Sequence, residues 1–202
     1  MRSLNLFALF ALAATAVASE GMLLIERGGV LPRESGDAPP ELIMGRGGMS
    51  AERLVAFFLE HNPQADERKV FRLAALYIEE SALEGVNSDI AFIQMCLETG
   101  FLRFGGLVTE GMNNFCGLGA VGPEQPGLHF PDERIGVRAH IQHLKAYGSS
   151  EPLVGELVDP RYHLVNPKGK SPDIHGLSGT WAADRGYGRK LADLLERLYR
   201  LW

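Results

Sequence analysis

The stretch Ser88-Asp89-Ile90-Ala91-Phe92-Ile93-Gln94-Met95-Cys96-Leu97-Glu98-Thr99, followed by Gly100, decides the fold. It has helical length and composition, but Ile90, Ala91, Phe92, Ile93, Met95, Cys96 and Leu97 leave it almost no polar face. A helix apolar on nearly all sides belongs in the middle of a core. The elements around it must therefore be layers that cover it, and their sequences read as helices too.

On the N-terminal side, Ser50 can cap a helix running to His61, which Asn62-Pro63 closes. Asp66 caps the next, where Val70, Leu73, Ala74, Tyr77 and Ile78 recur along one face and Gly85 is placed to end it. On the C-terminal side, Gly100 to Pro131 is Gly-punctuated and irregular, or carries short strands. Asp132 caps a helix to about Tyr147, with Gly148 as its stop. Residues 149 to 180 read as loop with a helical turn near Ile174, and a last helix from Tyr187 to Leu201 sets Leu191, Leu194, Leu195 and Leu198 on one side. The expectation is a mainly α domain of about five helices with long Gly-rich loops and little strand.

The chain ends carry a second kind of information. Met1-Arg2, the apolar run Leu4 to Ala14 and the small-x-small site Ala16-Val17-Ala18 predict a signal peptide over residues 1–18. The run is shorter than the roughly 20 residues a spanning helix needs, so no membrane anchor is expected after cleavage. Residues 19–48, with Pro32, Pro39, Pro40 and the Gly45 to Gly48 cluster, read as an extended leader, and residues 49–202 as the domain. Export to the periplasm or cell exterior follows. With 20 Lys and Arg against 25 Asp and Glu, nucleic acid is an unsuitable partner. Cys96 and Cys116 would meet an oxidising compartment, either as a disulfide or as two separately buried thiols.

Glu98 is the chemically informative residue. It ends the most apolar helix, where the negative end of the helix dipole and apolar surroundings both favour its protonated form, as a general acid requires. The same position also suits an acid that frays into solvent. Gly100, Gly105, Gly106 and Asn113-Asn114-Phe115 would let backbone approach it. His140 and His143 stand three residues apart on one helix but lack a ligating acid at suitable spacing, so they are read as surface histidines and no metal site is assigned. No nucleophile-elbow serine is present, and a thiolate at Cys96 would be disfavoured in the core.

With these residues in view, Ala91 to Phe101 resembles the catalytic segment of the bacterial glucosaminidase domain, glycoside hydrolase family 73. Asn113-Asn114-Phe115-Cys116-Gly117-Leu118-Gly119 resembles that family's Asn-aromatic-x-Gly turn. Trp181-Ala182-Ala183-Asp184-Arg185-Gly186-Tyr187 resembles its Tyr-Ala-Thr-Asp-Pro-x-Tyr element, with Trp181 in place of the Tyr and without the Thr and Pro. The helix Gly136 to Tyr147 is like one found in the endo-β-N-acetylglucosaminidase branch. The resemblance spans roughly residues 43 to 201, and four motifs in order are more specific than one. It implies a single lysozyme-like domain, no cofactor, and hydrolysis of peptidoglycan glycan strands after N-acetylglucosamine. In that reading Glu98 is the acid, Asn114 and Phe115 shape the wall beside it, and Trp181 and Tyr187 line the substrate groove. For the second catalytic group Glu110 stands first, then Glu124 and Asp184, with the sugar's own acetamido group as a route needing none of them. A lytic transglycosylase and a non-catalytic wall-binding module are the competing readings.

Overall fold

The computed structural model describes residues 39–200; the expected signal peptide and most of the expected leader lie outside them, as do the last two residues. The described chain is mainly α, with helices α1 Ala51–His61, α2 Glu67–Glu84, α3 Ser88–Thr99, α4 Glu133–Gly148 and α5 Tyr187–Arg200. Single 3-10 turns occur at Glu110–Met112, Tyr162–Leu164 and His175–Leu177, and isolated bridges such as Leu42 with Asp173 are the only extended pairing among the described residues.

The helix boundaries follow from capping chemistry. Ser50 Oγ accepts from the amide of Arg53, Asp66 Oδ1 from Arg68 at 2.9 Å, Asn87 Oδ1 from Asp89 at 3.0 Å and Asp132 Oδ1 from Ile135 at 2.8 Å. Gly85 and Gly100 end α2 and α3 in the left-handed region, at φ 72° and 58°. Gly148 does not act as the expected stop. It remains inside α4, and Ser149 is the cap. Its role is close packing, since a Cβ there would stand 2.5 Å from Ile43 Cγ2.

The apolar helix α3 occupies the centre, packed by α1, α2, α4 and α5. Its residues from Ser88 to Cys96 are all buried. Around it gather Phe57, Phe58, Leu73, Tyr77, Ile141, Leu144, Leu191 and Leu195, each with no exposed surface. Removing that apolar area from water is the dominant stabilising term, about 1.5–3 kcal/mol for each large side chain. The part of the leader within the described residues is extended and belongs to this body. Ile43 is fully buried, its amide donates to the carbonyl of Pro172 and its carbonyl accepts from Asn87. Asp89 then accepts from the amides of Gly48 and Met49 and from the hydroxyl of Tyr199, tying the segment to α3 and α5.

Buried polar side chains among the described residues are matched to partners, the Ser81 hydroxyl excepted. Lys145 and Glu84, both nearly fully buried, pair at 2.8 Å, and Glu84 also accepts from the amides of Val154 and Gly155. Gln142 donates to the carbonyl of Glu156 and accepts from Val158 and Asp159. Through these bonds α4 holds the loop after it, which would otherwise be free chain. Cys96 and Cys116 are separate buried thiols and no disulfide joins them. Cys96 lies in the main core, whereas Cys116 packs with Leu118, Phe130 and Ala139 in a second cluster. Burial pushes both thiols well above their ordinary range, so they act here as small apolar groups.

Candidate active site

Three elements converge on Glu98. The C-terminal turn of α3 presents its carboxyl, the Asn113–Gly119 turn passes beside it, and the segment Trp181–Tyr187 supplies two donors. Trp181 Nε1 donates to Glu98 Oε1 at 3.0 Å, and the Tyr187 hydroxyl donates to the same oxygen at 2.5 Å. On the other side Gly117 comes so close that a Cβ there would be 4.0 Å from Glu98 Oε2. Glu98 remains exposed as a residue. Its Oε1 is thus held by two donors, while Oε2 carries no hydrogen bond among the described residues.

Desolvation by the surrounding protein raises the Glu98 pKa, and the hydrogen bonds from Tyr187 and Trp181 oppose that rise without cancelling it. The apolar surroundings expected from the sequence therefore carry the shift. With Oε1 saturated by two donors, the proton of the neutral acid belongs on Oε2, the oxygen without a hydrogen-bond partner among the described residues. The arrangement can hold a carboxylic acid, present its proton to a ligand, and stabilise the carboxylate left behind through two N–H and O–H donors.

The turn is built from residues the sequence singled out, in different roles from direct contact. Asn114 is 1% exposed; its Nδ2 donates to the carbonyls of Leu118 and Leu128 while its Oδ1 accepts from the amide of Leu118. Phe115, also 1% exposed, lies in the main core. Both side chains face inward, so what they give the site is the shape of the backbone at Gly117. Asn113 adopts φ 49°, and its carbonyl is pressed against Gly136 of α4.

Trp181 stands on a platform of α4 residues. Its ring lies 5.2 Å from His143, 5.3 Å from Tyr147 and 5.8 Å from His140 between centroids. The indole supplies an N–H donor at the position where the resembling motif has a phenol. The histidines expected at the surface are both buried. His140 is fully enclosed and its pKa is pushed down to about 3 by burial and by His143, so it is a neutral imidazole. His143 Nδ1 pairs with the buried Asp159 at 2.7 Å.

The candidate second acids are placed differently. Glu110, on an exposed 3-10 turn, is held by Lys69 of α2 at 2.6 Å. Asp184 pairs with Lys190 at 2.8 Å and accepts from Gly186. Glu124 lies exposed in the turn between Gly122 and Gln125, on the loop that leaves Gly119. Two surface hollows, one along α2 lined by Glu67, Arg68, Phe71 and Arg72 and one lined by Leu76, Asn113, Asp132, Glu133 and Arg134, touch neither Glu98 nor Trp181.

Sequence reasoning missed Gln94, His140 and Tyr77. Gln94 Nε2 donates to the Tyr187 hydroxyl at 3.0 Å, and its Oε1 meets His140 Nε2 at 3.0 Å. The available signal was Gln94 itself, a lone amide amid the apolar run of α3, four residues before Glu98.

Comparison with known proteins defines the class. The profile of the glucosaminidase family, described as mannosyl-glycoprotein endo-beta-N-acetylglucosaminidase, matches residues 74–200, most of the described chain. This is a family of glycoside hydrolases, and the chain belongs to it. A Borreliella burgdorferi protein described as uncharacterized is 44% identical over 156 residues, covering 77% of this chain and 76% of that protein. Among solved structures, S. aureus Autolysin E in complex with the muropeptide NAM-L-Ala-D-iGlu aligns over 82% of this chain and 73% of its own, at 16% identity and a TM-score of 0.49. A catalytic mutant of Autolysin E in complex with the disaccharide NAG-NAM aligns over 86% and 76%, at 14% identity and the same TM-score.

Proposed function

We propose that this protein is an exported glucosaminidase that hydrolyses peptidoglycan glycan strands at the bond following N-acetylglucosamine, with Glu98 as the proton donor. The observation that carries the reading is the Glu98 carboxyl, raised in pKa by desolvation and saturated on Oε1 by Trp181 and Tyr187. A glycosidase acid must be neutral when substrate binds, give its proton to the leaving oxygen, and tolerate the negative charge that results. Oε2 meets the first two needs. The two donors on Oε1 meet the third, because hydrogen bonds to a carboxylate strengthen as its charge develops.

Trp181 is half-buried and its remaining surface can stack on a sugar ring, whereas Tyr187, 5% exposed, serves through its hydroxyl. Export is supported by the signal-like first 18 residues. Among the described residues no helix is long and apolar enough to cross a membrane. Of the acids considered for the second group, Glu110 pairs with Lys69 and Asp184 with Lys190 in exposed ion pairs, and Glu124 carries none among the described residues. An exposed pair does not withhold a carboxylate from a ligand, so all three stay candidates with Glu110 first, and the acetamido route stands beside them.

Digestion of purified peptidoglycan, followed by reduction and mass spectrometry of the fragments, tests the reaction class. New reducing N-acetylglucosamine ends are expected. Anhydro-muramic ends would make the protein a lytic transglycosylase, and intact glycan with retained binding would make it a wall-binding module.

A further inference from the structure

Behind the Tyr187 hydroxyl, polar side chains continue into the core in a single file. Tyr187 bonds Gln94 Nε2 at 3.0 Å, Gln94 Oε1 meets His140 Nε2 at 3.0 Å, and His140 Nδ1 meets the Tyr77 hydroxyl at 2.8 Å. Gln94, His140 and Tyr77 have no exposed surface, and Tyr187 is 5% exposed. We propose that Tyr77, His140 and Gln94 form a one-way hydrogen-bond chain that fixes Tyr187 as a donor to Glu98, making them positioning residues for the acid. The proposal rests on the reading of Glu98 as that acid.

Counting protons assigns the direction. Tyr187 has one hydroxyl proton, and a carboxylate at Glu98 requires it. Tyr187 must then accept from Gln94, which turns the amide so that its carbonyl faces His140. His140 must carry its proton on Nε2 to satisfy that carbonyl, leaving Nδ1 to accept from Tyr77. Every proton in the chain is used. In the reversed order His140 Nδ1 would donate to Tyr77, and the Tyr77 proton would be left without a partner, since its hydroxyl contacts only His140 among the described residues. A buried donor with no acceptor is strongly disfavoured, so Tyr77 acts as the stop that sets the polarity of the whole file. A neutral His140 is essential to this arrangement, because an imidazolium would donate from both nitrogens. Its burial and the neighbouring His143 keep it neutral.

The Tyr77 hydroxyl donates to His140 Nδ1 and the Gln94 amide donates to Tyr187, and a hydroxyl that accepts a hydrogen bond is the stronger donor. Removing either group leaves the direction of the file unchanged and weakens the bond from Tyr187 to the Glu98 carboxylate, the nearer change more than the farther. The ionisable groups around Glu98 are the Tyr187 phenol and the Cys116 thiol, both held neutral by burial, and the charge of Asp159 also reaches Cys116.

The test uses the mature protein with Tyr77→Phe and, at the opposite end of the file, Gln94→Met. Carbon NMR of the Glu98 carboxyl is read against pH, together with kcat, KM and thermal unfolding. Both variants are expected to raise the Glu98 midpoint, Gln94→Met by about half a pH unit and Tyr77→Phe by less, because Tyr187 then donates more weakly to the charged form. A fall in kcat of about tenfold is expected with KM nearly unchanged, the pattern of an interaction used in the transition state. Nitrogen NMR of the unaltered protein should show His140 protonated on Nε2 and neutral between about pH 5 and 8. A His140 proton on Nδ1, or an unchanged Glu98 midpoint in a folded Gln94→Met protein, would overturn the chain. If the midpoint moves but the wild type cuts no glycan, the chain stands and the proposed function fails.

Discussion

Replacing Gly136 by Ala tests how closely α4 positions the turn beside Glu98. A Cβ at Gly136 would stand 1.8 Å from the carbonyl oxygen of Asn113, 3.0 Å from its carbon and 3.2 Å from Phe115 Cε2. An ordinary contact needs roughly 3.2 Å or more, so helix and turn must separate by about 1.4 Å, and the neighbour is backbone that cannot rotate away. Overpacking of this kind costs about 1–3 kcal/mol. At about 2–4 °C per kcal/mol for a domain of this size, the melting temperature should fall by roughly 2–12 °C. The displaced turn carries Gly117, which adjoins Glu98 Oε2, so activity should fall further than stability does. A displacement near 1 Å can cost about a hundredfold in rate. Gly111→Ala is the matched control, because a Cβ there meets nothing within 4 Å. Differential scanning calorimetry and peptidoglycan digestion on both variants decide the matter. Gly136→Ala with the melting temperature and rate of the control would refute the claim that this contact places the turn.

Three other perturbations have defined signs. Tyr187→Phe removes a hydrogen bond that holds the Glu98 pKa down, so the pH at which activity declines on the alkaline side should move upward; the loss of a bond to a charged group, about 1.5–3 kcal/mol, should reduce kcat by about tenfold to a hundredfold. An alkaline limb that stays in place or moves down in a pH–rate profile would contradict this. Lys145→Met leaves Glu84 buried without its cation and should cost about 3 kcal/mol, the lower end for a broken buried pair because the amides of Val154 and Gly155 remain. Burial raises the Glu84 pKa, but Lys145 and those amides more than offset it, so it is lowered in the fold. The pair's contribution is therefore present above the unfolded carboxylate pKa and is lost as pH falls through the folded one; the melting difference between wild type and variant should shrink on acidification. Finally, Glu110→Gln should reduce glycan cleavage by more than about a hundredfold in a reducing-end assay if Glu110 is the second group; little loss in Glu110→Gln with a large one in Glu124→Gln would give the role to Glu124.

Much of the fold could be read from local chemistry. Ser50, Asp66 and Asp132 cap helices because their side chains answer amides two or three residues away, a relation confined to one turn. The burial of α3 could be read because its composition leaves no face for water. Gly148 could not, since the space it saves is for Ile43, about a hundred residues earlier, and a stop and a close contact call for the same residue. The placement of residues near Ile43 in the packed body depends on Pro172 and Asn87 in the same way. At the site, Glu98 stood out by its setting in one helix, and its donors Trp181 and Tyr187 entered through the motif. The roles of His140 and His143 were hidden because burial of a histidine depends on partners from α2, α3 and the 149–159 loop. Asn114 and Phe115 were recognised as site residues, but only their three-dimensional placement shows that they work from the inside.

The central claim is that Glu98 protonates the leaving oxygen. Its most direct test is the rate at which folded Glu98→Gln protein releases new reducing N-acetylglucosamine ends from purified peptidoglycan, compared with the wild type. Loss of more than about a thousandfold, with the thermal melt and glycan binding retained, is the result expected for removal of the acid. Cleavage within about tenfold of wild type would contradict the account.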